Sequence, residues 1–344
     1  MLISVIVPFL NAARHLPRFL EALAGVCYPD SEFILVDNNS RDGSPDIVRA
    51  FIKNNPGLPI TLLHEKKPGS TAARNLGAAA ARGEWLAFTD ADCIVSPAWL
   101  SDLASAIDAD PGPGAFAGCI RPADSGNIVT RFLGLYTLPP NSRARVCHQY
   151  TLVDGGFPTA NLTVRADVFN QTGGFDESIR IYGEDHDLCM RIYKAGFCVK
   201  CLTNAVVQHV HRSTLAGLLR QAFNFGTVHA IMASRFDSGF ILVQVPFIDF
   251  RRWKGRCKIW LDLNLADKKM LGTIVAGFIW PPLFLLSFAY VAYLSLSIYR
   301  RGARMHIPVK IMEAPVLAGL LLLKSAAMTA GRIAGSLRYK VICI

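Results

Sequence analysis

Acidic residues are scarce in the last quarter of this sequence of 344 residues. Residues 251–344 hold three acids, Asp262, Asp267 and Glu313, against fifteen Lys or Arg, so the net charge of +10 arises there. A basic excess within a hydrophobic segment suits an anionic membrane surface. No basic run lies beside stacking aromatic residues, which argues against a nucleic-acid groove. No long polar stretch of low complexity is present, which argues against wholesale disorder.

The sequence also lacks a second cysteine pair to accompany Cys198–Cys201. A lone C-x-x-C without histidines at zinc-site spacing is more typical of two thiols on a strand and its turn than of a zinc site. Nine scattered cysteines indicate a reducing compartment. The sequence opens on a strand-like run, residues 2–7, without a charged segment or cleavage site, so we expect no secretory signal peptide.

Apolar runs alternate with helical patterns over the first hundred residues. Strands are predicted at 2–7, 32–37, 60–64 and 84–89, with helices at 12–25, 44–53 (Ser44 as N-cap) and 71–82. This alternation predicts an α/β fold with a mostly parallel sheet and helices on both faces. Asp37, Asp90 and Asp92 each follow or end a strand, where such sheets bind ligands.

Two apolar segments predict membrane-associated helices near the C-terminus. Leu271–Tyr299 is uncharged and longer than the roughly 20 residues that span a bilayer, although Trp280-Pro281-Pro282 interrupts it. Ala314–Ala330 is interrupted by Lys324, which argues against a simple crossing. Basic residues lie before the first apolar segment, at 251–269, and between the two segments, at 300–313, and both groups favour the cytoplasmic side. This conflicts with two plain crossings, and a re-entrant or interfacial element would resolve the conflict.

Three polar motifs near the strand ends have binding chemistry. Asp90-Ala91-Asp92 offers two hard oxygen ligands for Mg²⁺ or Mn²⁺, although acid pairs are also common in turns. Asp37-Asn38-Asn39 suits a base or a ribose, and equally suits an ordinary turn. Lys67–Asn75 leads into a helix start whose amides and Arg74 suit a phosphate, with a capped surface helix as the alternative.

Two further clusters come later in the sequence. Glu184-Asp185-His186-Asp187 starts a helix, where acids favour the helix dipole and one of them could act as a general base. His209 and His211 are candidate metal ligands, and packed or solvated histidines are about equally expected.

Taken together, six motifs in order resemble the family 2 glycosyltransferases, over about residues 2–226. They are Ser4–Pro8 with Asn11, Phe33–Ser40 with Asp42–Ser44, Gly69–Asn75, Phe88–Asp92, Ala160-Asn161 with Gly173–Glu177, and Gly183–Leu188. Ordered co-occurrence of several motifs is far more specific than any one of them. The resemblance implies the GT-A (Rossmann-like) fold, with a nucleotide-sugar-binding half at 1–99 and an acceptor-binding half at 100–226. A basic linker at 227–270 and a membrane-associated helical region at 271–344 would follow.

The resemblance also implies roles for individual residues. Asp185 would be the catalytic base of an inverting single displacement, and Asp92 with His209 would hold a divalent cation, Mn²⁺ or Mg²⁺. His209 fits the family's late histidine better than His211, with an uncertainty of two positions. The implied nucleotide-sugar contacts are Pro8, Asn11, Asp37, Asn39, Arg74 and Asp90. The implied partners are a nucleotide-sugar donor, a UDP-sugar by preference, a glycan or lipid-linked acceptor, and the cytoplasmic face of the cell membrane, but no nucleic acid; cell-envelope polysaccharide or glycolipid synthesis is the expected setting.

One departure and three alternatives accompany this prediction. Processive members of the family carry Q-x-x-R-W, whereas Gln221–Phe225 lacks its Arg and Trp, so we predict one sugar per encounter. A nucleotidyltransferase would carry a Gly-rich loop with Arg after the first strand, which is missing here. A catalytically inactive scaffold relative would have lost acids that this sequence keeps. A transporter rests only on the apolar segments, which show no internal repeat.

Overall fold

The computed structural model describes residues 1–123, 126–138, 143–179, 182–245, 248–255 and 257–344. The strands are β1 (Ile3–Phe9), β2 (Ser31–Asp37), β3 (Ile60–His64), β4 (Trp85–Phe88), β5 (Cys93–Val95), β6 (Ala115–Pro122), β7 (Arg145–Cys147), β8 (Leu162–Arg165), β9 (Val199–His209), β10 (Gly239–Val245), β11 (Ile248–Gly255), β12 (Lys258–Asp262) and β13 (Ile342–Cys343). The helices are α1 (Leu16–Ala24), α2 (Ser44–Asn54), α3 (Ser70–Ala80), α4 (Trp99–Ala109), α5 (Ile128–Tyr136), α6 (Ala166–Gln171), α7 (Glu184–Lys194), α8 (Leu215–Ser234), α9 (Ala266–Ile279), α10 (Leu285–Arg304) and α11 (Ala314–Tyr339). All seven elements predicted before residue 100 are present, with ends shifted by a few residues.

The chain divides into two compact units. Unit 1 comprises residues 1–123 and 138–210, and unit 2 comprises residues 124–137 and 211–344. The predicted division into a donor half, an acceptor half, a basic linker and a helical region concerns function and stays a prediction; Arg256 of that linker lies outside the described residues.

Unit 1 is built on a mixed sheet with the strand order β3-β2-β1-β4-β8-β6-β9-β5, and β7 pairs with β9. The first four strands in this order run parallel, as their uniformly apolar sequences predict. β8 then runs antiparallel to both β4 and β6. The α/β fold class is therefore confirmed, with the parallel arrangement concentrated in the N-terminal half.

Helices cover both faces of this sheet because the side chains of each strand alternate between them. Val5 and Val7 of β1 pack with α1, α2 and α4, whereas Ile6 packs in the cluster that contains α6 and α7. Ile34 and Val36 of β2 pack against Ala73 of α3. The two apolar layers fix the sheet, and the loops at its carboxyl edge are left to carry polar groups.

The N-terminus of α2 differs from the prediction. Gly43, not Ser44, is the N-cap, since α2 begins at Ser44. The backbone at position 43 has φ of +78°, a left-handed conformation that favours glycine. Ser44 is instead the first helical residue, and its hydroxyl accepts a hydrogen bond from the Ala12 amide at 2.8 Å. Ser44 thereby joins the loop after β1 to the loop after β2.

Unit 2 combines a small sheet, in the order β11-β10-β12-β13, with α5 and α8 to α11. α8 and α11 lie so close that a Cβ at Gly331 would be 1.9 Å from the Phe223 carbonyl oxygen. Arg332 of α11 is buried, stacks 4.3 Å from the Trp260 ring centroid and donates to Asp262 at 3.2 Å. The second half of α11 is thus part of the core of unit 2.

The apolar segment 271–299 forms two helices rather than one. Trp280–Pro282 ends α9, and a short 3-10 turn, Pro281–Phe284, leads into α10. By length and composition alone, Pro281–Arg304 and Ile311–Tyr339 are apolar enough to cross a membrane. The helices expected at this end are present, and the prolines act where the sequence predicts.

Candidate active site

The end of β2 presents Asp37 in a fixed geometry. Its carboxylate accepts from the Ser40 amide at 3.0 Å and lies 2.9 Å from His64 Nδ1 at the end of the neighbouring β3. Asp37 is almost fully buried at 4% exposure. The parallel pairing of β2 and β3 explains this contact, because it brings the carboxyl ends of both strands to one edge.

Asn38 and Asn39 hold the loop after β3. The Asn39 amide donates to the carbonyls of Glu65 and Lys66 at 3.1 and 3.0 Å. The Asn38 side chain donates to the Lys67 carbonyl and accepts from the Gly69 amide, at 2.7 and 2.8 Å. These bonds place Gly69 and the start of α3 beside the end of β2.

A cavity of about 790 Å³ opens at this edge of the sheet. Its lining residues are Pro8, Phe9, Leu10, Asn38, Asn39, Arg41, Lys66, Pro68, Gly69, Ser70, Arg74, Asp90 and Tyr182. Four of the six predicted nucleotide-sugar contacts are among them. The cavity combines apolar walls, cations and a helix N-terminus, a combination that suits an anionic ligand with a ring system.

Asn11 and Asp37 are not among these lining residues. Asn11 adopts φ of +50°, and its side chain accepts from the Arg41 amide at 2.8 Å. Asn11 therefore sets the backbone of a residue that does line the cavity. Whether the two contact a ligand directly stays a prediction.

Arg74 joins two acidic motifs that are far apart in sequence. The guanidinium donates to Asp90 at 2.7 Å and to Glu184 at 2.9 Å, and it lies 5.7 Å from the Phe175 ring centroid. Arg74 is 4% exposed, so this bridge is shielded from solvent. A planar, fork-shaped donor is the side chain that can serve two carboxylates at once.

Phe175 and Asn75 brace this bridge. The Asn75 side chain accepts from the Phe175 amide and donates to the Phe175 carbonyl, both at 2.9 Å. It also donates to Glu177, which pairs with Lys67. The Gly173–Glu177 motif therefore positions Arg74 through a clamp to α3.

Asp185 lies in the first turn of α7, next to the residue that Arg74 holds. Gly183 caps this helix with φ of +97°. Burial raises the pKa of Glu184 to about 7, the nearby Asp185 carboxylate adds to this shift, and Arg74 opposes it. Asp187 has a structural role, because it accepts from Arg191, which itself donates to the Thr172 and Gly174 carbonyls. The Asp185 carboxylate accepts a hydrogen bond from the His186 amide at 2.8 Å, and among the described residues it has no salt bridge.

The second acid of the D-x-D motif meets a histidine from a distant strand. β5 pairs antiparallel with β9 so that Cys93 lies opposite His209, and the Val210 amide donates to the Asp92 carbonyl at 2.9 Å. This register leaves His209 Nε2 3.6 Å from Asp92 Oδ1. Asp92, Cys93 and His209 each offer a ligand atom within 4.8 Å of the others.

The chemistry of this group suits a hard or borderline cation. Burial raises the pKa of the Cys93 thiol well above its ordinary value, which disfavours its thiolate form relative to the carboxylate and imidazole donors. Burial also raises the pKa of Asp92, with His209 opposing the shift. Oxygen and imidazole ligands fit Mn²⁺ or Mg²⁺ better than a soft metal. Of the two candidate histidines, His209 belongs to unit 1 and lies beside Asp92 of the D-x-D motif, whereas His211 belongs to unit 2.

Asn161, from the Ala160-Asn161 motif in the predicted acceptor-binding half, has structural contacts. It accepts from Trp99 Nε1 at 2.9 Å and donates to the Cys119 and Ala205 carbonyls at 3.0 and 2.8 Å. Those carbonyls lie where the β6–β9 pairing shifts register. A buried amide at such an irregularity satisfies backbone groups that the strands leave unpaired.

Several residues at the site lie outside the predicted motifs. Arg41, Lys66 and Tyr182 line the cavity from loops, and His64 contacts Asp37. In the sequence, the feature that indicates Arg41 and Lys66 is their positive charge near the predicted phosphate-binding loop. No sequence pattern indicates Tyr182, because only the fold brings it to the cavity.

Known proteins are similar to this chain in sequence. A model of glycosyl transferase family 2 matches residues 4–166. Glycosyltransferase AglE of Haloferax volcanii is 30% identical over 231 residues, covering 65% of this chain and 71% of AglE. The pre-mycofactocin glycosyltransferase of Mycobacterium tuberculosis is 31% identical over 230 residues, and the match spans 46% of that protein.

Solved structures share the fold. The mannosyltransferase PcManGT of Pyrobaculum calidifontis, solved with GDP-Man and Mn²⁺, aligns with a TM-score of 0.56 at 20% identity over 94% of this chain and 86% of its own. Residues 1–349 of TarS from S. aureus align with a TM-score of 0.51 at 16% identity, over 99% of this chain. At such identities the likeness concerns the fold, and the family follows from the sequence matches. The chain belongs to glycosyl transferase family 2 and is a glycosyltransferase.

Proposed function

We propose that this enzyme transfers a sugar from a nucleoside-diphosphate sugar, a UDP-sugar by preference, to a hydroxyl of a glycan or lipid-linked acceptor. The transfer is a single displacement that inverts the anomeric centre, and it takes place at the cytoplasmic face of the membrane. The observation that carries the proposal is the Arg74 bridge, in which a guanidinium that lines the cavity pairs with Asp90 of the D-x-D motif and with Glu184 at the start of α7.

The cavity supports a nucleoside diphosphate as the donor's handle. Its volume of about 790 Å³ lies within the range of small-ligand sites. Arg41 and Lys66 supply cations, and the N-terminus of α3 at Gly69 and Ser70 supplies backbone amides. These groups suit the diphosphate, while Pro8 and Phe9 offer apolar surface to the base.

Asp92 and His209 would hold the divalent cation. Their distance and donor types fit such an ion, as described above. When bound, the cation would neutralise charge on the diphosphate leaving group. Asp90 takes a different part, because its carboxylate is already paired with Arg74, and it would face the ribose or the diphosphate from the cavity wall.

Asp185 would accept the proton of the acceptor hydroxyl. As the acceptor oxygen forms its bond to the anomeric carbon, the bond from that carbon to the diphosphate oxygen breaks and the nucleoside diphosphate leaves. The hydroxyl proton passes to the Asp185 carboxylate. Arg74 neutralises the adjacent Glu184, which limits the negative charge around this base.

The basic and apolar C-terminal region supports the membrane setting. An acceptor carried by a lipid would then meet the active site at the membrane surface. Synthesis of a cell-envelope polysaccharide or glycolipid is the setting that fits these features together.

A panel of UDP- and GDP-sugars, supplied with membrane extract as the acceptor source, tests the proposal. Mass spectrometry would identify the product, with and without EDTA. We expect one donor to be consumed in a transfer that EDTA suppresses and Mn²⁺ restores, and we expect Asp92→Ala to lose it. Full transfer in EDTA would contradict the metal site, and no turnover of any donor would favour a catalytically inactive relative.

A further inference from the structure

α9 and α10 form an antiparallel helical hairpin whose turn is Trp280–Phe284. Thr273 and Ser287 exchange a hydroxyl hydrogen bond of 2.9 Å across it. Nearer the turn, Phe278 and Phe284 pack with ring centroids 5.3 Å apart, and Gly277 lets the Phe284 ring approach. Contacts between residues placed symmetrically about the turn show that the chain enters along α9 and returns along α10.

The first arm of this hairpin is too short to cross a bilayer, although the stretch Pro281–Arg304 alone has sufficient length, and the shorter arm of an antiparallel pair limits the depth of the turn. α9 has 14 residues and is therefore roughly 21 Å long. The uncharged part of α10, Leu285–Tyr299, has about the same length. The hydrocarbon core is about 30 Å thick, so the turn would pass the midplane without reaching the opposite headgroups.

Charged residues lie only at the open end of the hairpin. Lys268 and Lys269 begin α9, while Arg300, Arg301 and Arg304 end α10. Because the arms are antiparallel, all five cations lie at the same end. Basic flanks favour the cytoplasmic, anionic side of a membrane, so both ends of the segment favour one side.

The exposed apolar surface concentrates at the closed end. Phe278, Ile279 and Phe288 are 78%, 80% and 74% exposed, and Trp280 and Leu285 are also largely exposed. A cluster of large apolar side chains with this exposure marks a surface that is covered by another apolar phase. Cations at one end and apolar residues at the other match the layering of a single leaflet.

α11 is apolar enough to cross a membrane by length and composition, but its charged residues interrupt it and have partners in unit 2. Its longest uncharged run, Ala314–Leu323, covers roughly 15 Å. Lys324 follows, and its ammonium donates to the Tyr136 carbonyl at 2.7 Å. Arg332 is buried against Asp262 and Trp260. The charges of α11 therefore have their partners inside unit 2.

We propose that the α9–α10 hairpin enters one leaflet of an anionic bilayer as a re-entrant wedge and returns to the side from which it came. The enzyme is thereby monotopic and no segment among the described residues crosses. The inference deepens the membrane setting proposed above, and it relies on unit 2 alone, so it is independent of the donor, the cation and the catalytic base.

Labelling with a membrane-impermeant maleimide tests the topology in the full chain. In a Cys27→Ser/Cys257→Ser background, Ile279→Cys reports the turn and Ala303→Cys reports the open end. In sealed inside-out and right-side-out vesicles, we expect Ala303→Cys to react from the cytoplasmic side only. Ile279→Cys should react from neither side until detergent is added. Reaction of Ile279→Cys from the side opposite to Ala303→Cys would show a crossing, and reaction from the same side would show a hairpin that stays outside the membrane; either result overturns the proposal.

Vesicle partition tests the layering separately. Phe278→Ser with Phe288→Ser should lower binding to phosphatidylcholine/phosphatidylglycerol vesicles by at least about tenfold. Phe223→Ser, an exposed phenylalanine of α8, is the matched control. Arg300→Gln and Arg304→Gln should each lower binding about fivefold on the anionic vesicles and have no effect on neutral ones. All variants should keep their melting temperature and transferase activity in detergent, which distinguishes a failure of this proposal from a failure of the proposed function. Unchanged partition of the double phenylalanine variant would contradict it.

Discussion

At the scale of single residues, the site depends on one buried arginine. Arg74 pairs with Asp90 of the D-x-D motif and with Glu184 at the start of α7. The Asp90 side chain is partly shielded from solvent, and the Glu184 side chain is almost fully shielded. One guanidinium that holds two carboxylates connects the Gly69–Asn75 motif to both acidic motifs. The sequence predicts Arg74 near the diphosphate, whereas the structure adds its second partner.

Arg74→Met should destabilise the fold and the site together. It leaves two carboxylates without their cation, which costs about 3–5 kcal/mol of unfolding free energy. Urea denaturation would measure this loss. Arg74→Met combined with Glu184→Gln should recover part of it, because one stranded charge is removed. A stability within 0.5 kcal/mol of the parent for Arg74→Met would contradict the bridge.

The choice between two histidines can be tested at the same scale. His209→Ala should weaken Mn²⁺ binding by at least about tenfold, since even groups behind the ligands have effects of that size. Electron paramagnetic resonance of free Mn²⁺, titrated with enzyme and UDP, would measure the affinity. His211→Ala is the control and should bind as the parent does. The reverse pattern would move the metal ligand by two positions.

At the scale of elements, the sequence predicts what local patterns determine. β1 to β4 and α1 to α3 follow from apolar runs and periodicity, because each buries its residues against a neighbouring layer. β5 has three residues and therefore no period to detect, yet its pairing with β9 places His209 beside Asp92. Long-range register of this kind arises from the whole sheet, so local sequence patterns do not distinguish His209 from His211.

Asn161 connects three elements, so its loss should weaken the sheet. Asn161→Ala leaves Trp99 Nε1 and two backbone carbonyls without partners, and we expect a loss of about 2–4 kcal/mol. Chemical denaturation would measure it, with Asn170→Ala on the exposed face of α6 as the control, expected within 0.5 kcal/mol. An unchanged free energy of unfolding for Asn161→Ala would contradict the structural role and favour an acceptor-binding role for Asn161.

At the scale of the whole molecule, unit 1 holds the candidate active site, and unit 2 holds the apolar helices for which we propose a membrane setting. The motifs lie within unit 1, where parallel strands bring their carboxyl ends to one edge. Unit 2 has no motif of comparable specificity, so the sequence predicts apolar helices without their path. The hairpin at 266–304 becomes visible only through side-chain contacts across its turn.

Processivity is a property of the whole enzyme. Gln221–Phe225 lies on α8 of unit 2 and lacks the Arg and Trp of Q-x-x-R-W. We therefore expect one sugar per encounter with the acceptor. Product length, followed by mass spectrometry at an acceptor excess, would show a single added residue. Long polymer from one primer while most acceptor stays unmodified would contradict this.

The transfer rate of Asp185→Asn, measured with donor binding in the same preparation, tests whether Asp185 is the general base of a transferase. We expect a fall in kcat of about 10²- to 10⁴-fold, the range of a lost general base. The affinity for UDP should be unchanged, because Asp185 is outside the residues that line the cavity. Asp108→Asn, a surface acid on α4, should transfer at the parental rate. Full transfer by Asp185→Asn, with unaltered binding and folding, would show that another group takes the proton.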